Sequence, residues 1–130
     1  MIRNYFFAAS LLALSAYPVA AWAGDMPSGI KTGDTAMGPV LTDAKGMTLY
    51  TFNPDPMEKS VCNGKCAQNW PPVMAPSNAM ADGDFTVVVR DDGSHQWAYH
   101  GKPLYGWVKD KKPGDTTGDG VANKWTVAKP

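Results

Sequence analysis

The chain has 130 residues, a length that fits one domain or two small units sharing a core. Its 12 basic and 12 acidic residues give a formal net charge of zero, and the one basic run, Lys109 with Lys111 and Lys112, is interrupted by Asp110. Nucleic acids and anionic membranes bind clustered positive charge, so the composition argues against both as partners. Abundant glycine and proline (13 and 11 residues) favour short strands and turns over long helices.

The first 23 residues have the pattern of a secretory signal peptide. Arg3 gives a positive start, residues 5–16 form an apolar run, and Ala21-Trp22-Ala23 is a small-residue cleavage pattern. The alternative is a membrane anchor, but the apolar run is short for a span and no cysteine follows for lipid attachment. We therefore predict cleavage near Ala23–Gly24 and a mature chain that is periplasmic or secreted, soluble and without a membrane span.

The mature chain, 24–130, is predicted to be a single secreted domain. Residues 24–37 form a loose lead-in with at most a weak strand near Ile30. Strands at 40–42 and 47–52 then form a hairpin around the turn Asp43-Ala44-Lys45-Gly46. Asn53-Pro54-Asp55-Pro56 ends the second strand, because proline cannot donate to a ladder.

A polar excursion follows, and Trp70-Pro71-Pro72-Val73 closes the first unit in extended form. After a linker at 76–84, residues 85–90 are the clearest strand of the chain, and Asp91-Asp92-Gly93-Ser94 turns it back into 96–99. A strand at 104–108, a polar loop and Trp125-Thr126-Val127 complete the second unit.

One short motif occurs twice, at 46–55 and 101–110, and Trp70 recurs as Trp125 at the same offset of 55 residues. Alternation along a strand places the tyrosine and the second aromatic of each copy on one face and the leucine on the other. The repeated residues are Leu49, Tyr50, Phe52 and Asp55 in the first copy, and Leu104, Tyr105, Trp107 and Asp110 in the second.

This repetition predicts an all-β fold. Antiparallel strands and hairpins form two internal repeats, at about 38–75 and 85–130, and each repeat is too small to bury its own apolar face. The two are therefore expected to pack on each other as a small sandwich or barrel-like body.

These residues, with Cys62-Asn63-Gly64-Lys65-Cys66, the 96–105 run and Pro113-Gly114-Asp115-Thr116, resemble the bacterial secreted-repeat family. Members of that family are predicted lipoproteins with a Tyr-x-(Phe/Trp/Tyr)-x-x-Asp motif and an unknown biochemical function. The resemblance implies a fold and an extracytoplasmic location, but no activity. The chain departs from the lipoprotein pattern, because Cys62 and Cys66 are its only cysteines and neither provides an acylated N-terminus. A soluble periplasmic form is expected.

Cys62 and Cys66 are predicted to form a structural disulfide, because they lie four residues apart in a glycine-containing loop of an exported chain. Two alternatives use the same residues. Thiol–disulfide catalysis is disfavoured because the spacing is not Cys-x-x-Cys and no helix is predicted after the pair. A soft-metal site using both thiolates stays open.

The other possible metal ligands are dispersed. The methionines of the mature chain do not cluster, and His95 and His100 are an odd number of residues apart, so a strand would place them on opposite faces. Asp115 and Asp119 begin a pattern like a calcium loop, but Thr126 stands where a bidentate carboxylate is required. We predict no metal and no cofactor, with Asp115 and Asp119 as weak candidates.

The tryptophans have two interpretations. In so small a domain they are typical core residues, but if exposed, Trp70, Trp97, Tyr99 and Trp125 would form a ligand surface for a glycan or an extended peptide. Asp55 and Asp110 are expected to cap turns.

No catalytic residues are predicted. Neither repeated aspartate has a neighbouring histidine or a glutamate partner in sequence. No Ser-His-Asp pattern, phosphate-binding glycine loop or zinc signature is present. The sequence therefore predicts a non-enzymatic binding or envelope-associated domain whose envelope ligand or partner is unknown. The alternatives are a metal-binding or redox accessory protein that uses Cys62 and Cys66, and an enzyme.

Overall fold

A computed structural model describes residues 26–130, and the predicted signal peptide and the start of the mature chain lie outside this range. The strands are β1 (Ile30–Thr35), β2 (Gly38–Asp43), β3 (Tyr50–Phe52), β4 (Phe85–Val89), β5 (His95–Tyr99), β6 (Lys102–Tyr105) and β7 (Trp125–Val127). One short helix, α1 (Lys65–Asn69), follows β3, and a single 3₁₀ turn at Val121–Asn123 precedes β7.

The strands form two antiparallel sheets. A five-stranded sheet has the order β4-β5-β6-β3-β7, and β1 pairs with β2 in a separate hairpin. The predicted all-β, antiparallel fold is confirmed, and the sandwich-like packing fits this arrangement of sheets.

The lead-in is more ordered than the sequence predicts. β1 pairs with β2 along its full length, from Ile30↔Asp43 to Thr35↔Gly38. The expected hairpin of β2 with the following strand is reduced to one bridge, Thr42↔Thr48, because β3 is only three residues long. Gly38 has a φ of 88°, which allows the tight turn from β1 into β2.

The two halves of the chain are interlocked. β3 belongs to the first half, yet its neighbours in the sheet, β6 and β7, both belong to the second. In return, the extended segment 71–75 of the first half bridges to β6 through Pro72↔Tyr105 and to β5 through Met74↔Gln96. The closing segment of each half therefore pairs with strands of the other half.

The leucine and tyrosine of each motif copy lie on opposite faces of the sheet, as the alternation predicts, and both faces contribute to the core. Leu49 and Leu104 belong to one core cluster, the leucine cluster, with Ile30, Leu41, Ala75, Phe85, Trp97 and Ala128. Tyr50 and Tyr105 belong to a second, the aromatic cluster, with Val40, Cys62, Trp70, Trp125 and Val127. Adjacent residues of a strand point to opposite faces, so the two clusters lie on the two sides of β3 and β6.

Candidate functional site

The repeated tyrosines and aspartates bond across the repeats. The Tyr50 hydroxyl donates to Oδ2 of Asp110 at 2.5 Å, and the Tyr105 hydroxyl donates to Oδ2 of Asp55 at 2.6 Å. Tyr50 and Tyr105 also face each other in the pairing of β3 with β6. The motif thus joins the two repeats through two buried hydrogen bonds. The bonded residues are 60 residues apart in the chain for Tyr50 and Asp110, and 50 for Tyr105 and Asp55.

The aspartates do more than the turn capping expected of them. Each does bind its own loop: Asp55 accepts the Val61 N–H at 2.8 Å, and Asp110 accepts the N–H and hydroxyl of Thr117 at 3.0 and 2.6 Å. Both aspartates are also buried, since Asp55 is 4% exposed and Asp110 is 7% exposed. The second carboxylate oxygen of each accepts a hydrogen bond from a tyrosine hydroxyl. The one signal in the sequence for this pairing of each aspartate with the tyrosine of the other copy is the equal spacing from tyrosine to aspartate in both copies.

Burial is the largest influence on the pKa values of Asp55, Tyr50 and Tyr105. Removal from water raises the pKa of Asp55, against the lowering effect of its hydrogen bonds to Tyr105 and Val61. Burial, followed by the bond to Asp55, raises the pKa of Tyr105, and burial with the bond to Asp110 does the same for Tyr50. Both tyrosines therefore stay protonated and act as donors at physiological pH.

A buried arginine extends one of the two pairs into a network. Arg90 is 6% exposed and donates to Ser60 Oγ at 2.9 Å, Gln96 Oε1 at 2.7 Å and the Cys62 carbonyl at 2.7 Å. Ser60 Oγ is in turn 2.6 Å from the Tyr105 hydroxyl. These neutral acceptors hold the guanidinium in place. Its positive charge is one of the smaller effects that oppose the burial-driven rise in the pKa of Asp55.

Four aromatic rings form a continuous stack beside the tyrosines. The order is Phe52, Trp125, Trp70, Trp107, with ring centroids 4.3, 3.7 and 3.8 Å apart. Tyr50 meets Trp70 edge-on, and Tyr105 meets Trp125 in the same way. The rings come alternately from the two repeats, so the stack has the approximate two-fold symmetry of the sequence.

Three of the four residues of the predicted ligand surface are buried. Trp70, Trp97 and Trp125 are 5%, 6% and 4% exposed, which makes them core residues. Tyr99 is half-buried and stacks on the imidazole of His100. The aromatic side chains that reach the surface at the ends of the stack are instead Phe52 and Trp107, both half-buried.

Cys62 and Cys66 form the predicted disulfide. Cys62 is fully buried in the aromatic cluster, and Cys66 is half-buried against it. The absence of a following helix was wrongly predicted, since α1 begins at Lys65 and includes Cys66. Glycine and asparagine residues of the loop hide the short helical segment in the sequence, because both have low helix propensity.

In the segment that resembles a calcium loop, the carboxylates of Asp115 and Asp119 accept hydrogen bonds from backbone N–H groups. Asp115 accepts the N–H groups of Lys111 and Lys112, bonds that lower its pKa, and Asp119 accepts the N–H of Val127. Within residues 26–130, no group of three or more histidine, cysteine, aspartate or glutamate side chains is placed to hold a metal ion.

Two surface clefts among the described residues are large enough for a small ligand. One, of about 420 Å³, is lined mainly by polar residues of β1 and the β2–β3 turn. The other, of about 370 Å³, is lined by the segment 71–74 with Leu49, Trp107 and Val108, and the Lys109 ammonium lies 5.7 Å from the centroid of Trp107. The remaining lining residues are Asp43, Met47, Pro71, Pro72, Val73, Met74 and Gly106.

The comparison with protein families agrees with this repeated architecture. Residues 31–74 and 86–129 each match a family described as a secreted repeat of unknown function. The chain belongs to this family. The two matched ranges are related by the same offset of 55 residues as the motif, and they confirm the resemblance inferred from the sequence. No similar protein was found among curated proteins, and no similar structure among solved ones.

The family description places its members outside the cytoplasm in general terms, as secreted proteins. In the part of the chain that the structure describes, no helix is long and apolar enough to cross a membrane.

Proposed function

We propose that this protein is a non-enzymatic binding domain of the cell envelope, which works in the periplasm after removal of its signal peptide. The cleft at Trp107 is its binding site, and the ligand is an apolar group of another envelope molecule. The observation that carries the proposal is a difference between the two repeats. The side chains at the cleft are apolar, and several of those at the equivalent positions of the other repeat are polar.

Positions related by the 55-residue offset give this comparison directly. Met74 and Val108 are 53% and 44% exposed, and their equivalents in the other repeat are Lys129 and Asn53. Pro71 corresponds to Thr126 in the same way. The fold therefore accepts polar side chains at these places, so folding alone does not require the apolar surface of the cleft.

The equivalent of Met47 shows how the other repeat closes this region. Lys102 lies there, and its ammonium donates to the carbonyl oxygens of Phe52 and Asp55 at 3.2 and 2.7 Å. Met47 makes no such bonds, and its flexible thioether lines the cleft. Methionine adapts to ligands of different shapes, a property that suits a binding surface.

The engagement of the reactive groups supports a binding role over catalysis. The carboxylates of Asp55 and Asp110 are buried on tyrosine hydroxyls, and the cysteines are bonded to each other. A general acid or base needs to reach a substrate within hydrogen-bond distance, and these groups face the protein interior.

Binding of an uncharged fluorescent probe, N-phenylnaphthylamine, tests the cleft. The variant Met74→Lys with Val108→Asn carries the residues of the other repeat and is expected to bind the probe about tenfold more weakly, with unchanged stability. Met80→Lys is the matched control, because Met80 is 80% exposed and does not line the cleft. Equal binding by the cleft variant and the wild type would refute the site, as would an equal loss in the control.

The location is tested separately by intact-mass measurement of the protein recovered from a periplasmic fraction. The expected chain begins near Gly24 and contains one disulfide. Recovery of the full-length chain in the membrane fraction, or of a chain with two free thiols, would contradict the proposed periplasmic form.

A further inference from the structure

β4 lies at one edge of the five-stranded sheet, and β5 is its one partner among the described strands; at its first residue, Phe85 also bridges to Asp82. The Arg90 N–H bonds to the Ser94 carbonyl, which continues the ladder beyond Val89↔His95. In an antiparallel pair the backbone groups alternate between the two sides. Val87 and Val89 therefore direct their N–H and C=O groups away from β5, and no backbone partner for them lies within residues 26–130.

The outer part of this edge, at Val87 and Val89, carries no charged side chain of its own, although the Glu58 carboxylate accepts the Thr86 hydroxyl nearer the start of the strand. Val89 is 63% exposed, and Arg90, the one charged residue next to it that could shield the strand, is turned into the core. Natural sheet edges are usually protected by exposed charges, prolines or bulges. The equivalent strand of the other repeat, β1, has such protection, since Asp34 stands in place of Val89 and Lys31 in place of Thr86.

Both ends of the strand are acidic. Asp82 and Asp84 precede β4, and Asp91 and Asp92 follow it. The Lys59 ammonium lies 3.5 Å from Asp91, and Nε2 of His100 lies 3.5 Å from Asp84. A second copy pairing antiparallel on β4 would bring the acidic end of one copy beside the acidic end of the other, and like charges at such distances repel.

We infer that the outer edge of β4 binds an extended peptide segment of another protein, with a β-branched centre and basic residues at both ends. The peptide adds to the sheet as a sixth strand. Its backbone pairs with Val87 and Val89, its centre covers the exposed valine surface, and its basic ends meet the aspartates. At about 3.3 Å per residue, the span from Asp84 to Asp91 is roughly 23 Å, the reach of a peptide of about seven residues.

The test titrates the mature protein with a synthetic peptide that has a Val-Thr-Val-Thr centre and lysines at both ends. The amide signals of Val87 and Val89 are expected to shift in NMR spectra and to gain protection from hydrogen exchange. The affinity is expected to fall with added salt. Two control peptides keep the same centre: one has glutamates at its ends, and the other is N-methylated at every second residue. Each is expected to bind at least about tenfold more weakly.

A protein variant tests the edge itself. Val89→Pro removes an N–H that makes no bond to β5, and proline is tolerated at such edge positions. The affinity for the lysine-ended peptide is expected to fall about three- to tenfold. Val89→Thr, which keeps both the N–H and the β-branch, is expected to bind like the wild type.

Four results would overturn the inference. They are no binding of the lysine-ended peptide, equal binding of either control peptide, shifts centred on the Trp107 cleft, and sedimentation of the free protein as a dimer that Val89→Pro dissociates. The N-methylated peptide keeps the test decisive if Val89→Pro does not fold, because it removes the other bonds of the same ladder, those that the peptide N–H groups would donate to the carbonyls of Val87 and Val89.

Discussion

Replacement of Tyr105 by phenylalanine removes its hydrogen bond to Asp55, together with its contact to Ser60 Oγ, and leaves the ring in place. Asp55 then keeps the Val61 N–H but loses the donor to its second oxygen, and it stays buried. A hydrogen bond to a charged group contributes about 1.5–3 kcal/mol to stability. The expected decrease in the free energy of unfolding is of this size, equivalent to a Tm lower by roughly 10 °C in a domain of this length.

The matching change in the other pair is expected to cost less. After Tyr50→Phe, Asp110 still accepts both the N–H and the hydroxyl of Thr117. Asp55 has only the Val61 N–H left in the Tyr105→Phe variant. A carboxylate with more remaining donors loses less when one is removed, so the difference between the two variants measures this local asymmetry.

The assay is urea unfolding followed by tryptophan fluorescence, applied to a double-mutant cycle of Tyr105→Phe and Asp55→Asn. We expect a coupling energy of about 1–3 kcal/mol between the two substitutions. Tyr99→Phe is the control, because the Tyr99 hydroxyl has no hydrogen bond to the described residues, and its effect should stay within about 0.5 kcal/mol. Additive single effects, or a loss in Tyr105→Phe no larger than in the control, would refute the proposed role of the motif.

Three further predictions concern the loop, a close contact and pH. Replacing both Cys62 and Cys66 by alanine should lower the free energy of unfolding by about 2 kcal/mol on the loop-entropy model. The wild type should have a mass about 2 Da lower before reduction than after it, and equal masses would show that the disulfide is not formed. Gly118→Ala should lower the free energy of unfolding by about 1–3 kcal/mol, because the added Cβ would lie 2.8 Å from the Tyr50 ring. Gly106→Ala is the control and should be nearly neutral, because its Cβ would meet only a carbonyl oxygen at 3.9 Å. Similar unfolding midpoints for the two variants would contradict this prediction. Because burial raises the pKa of Asp55, the folded state holds that proton more tightly than the unfolded chain, so the contribution of Asp55 to stability is greatest at low pH and is lost as the pH rises through the raised pKa. The unfolding free energy of the wild type minus that of Asp55→Asn should therefore fall from about pH 3 to about pH 7, and a rise over this range would reverse the assignment.

Much of the local structure could be predicted from the sequence. Alternation correctly separates Leu49 from Tyr50 and Leu104 from Tyr105, and the two pairs lie in opposite core clusters. These predictions work because the period of a strand fixes which side each residue faces, whatever the partner strand is.

Long-range pairing was harder to predict. The sequence assigned the strand after the first turn to a hairpin with β2, but its main partners, β6 and β7, come from the other repeat. Asp55 and Asp110 were assigned to local turns for the same reason. Their tyrosine partners are at least 50 residues away, beyond the range of any local pattern.

The sequence by itself determined the family, the repeat offset of 55 residues, the strand-rich class and the faces of the central strands, because all of these follow from spacing along the chain. Only the tertiary structure decided what the repeated motif does. The tyrosine of each copy meets the aspartate of the other because strands of the two repeats pair side by side in one sheet. It also decided which aromatic residues reach the surface. Stacking four rings in one row buries the two inner tryptophans and leaves Phe52 and Trp107 at the ends, and Trp107 lines the cleft.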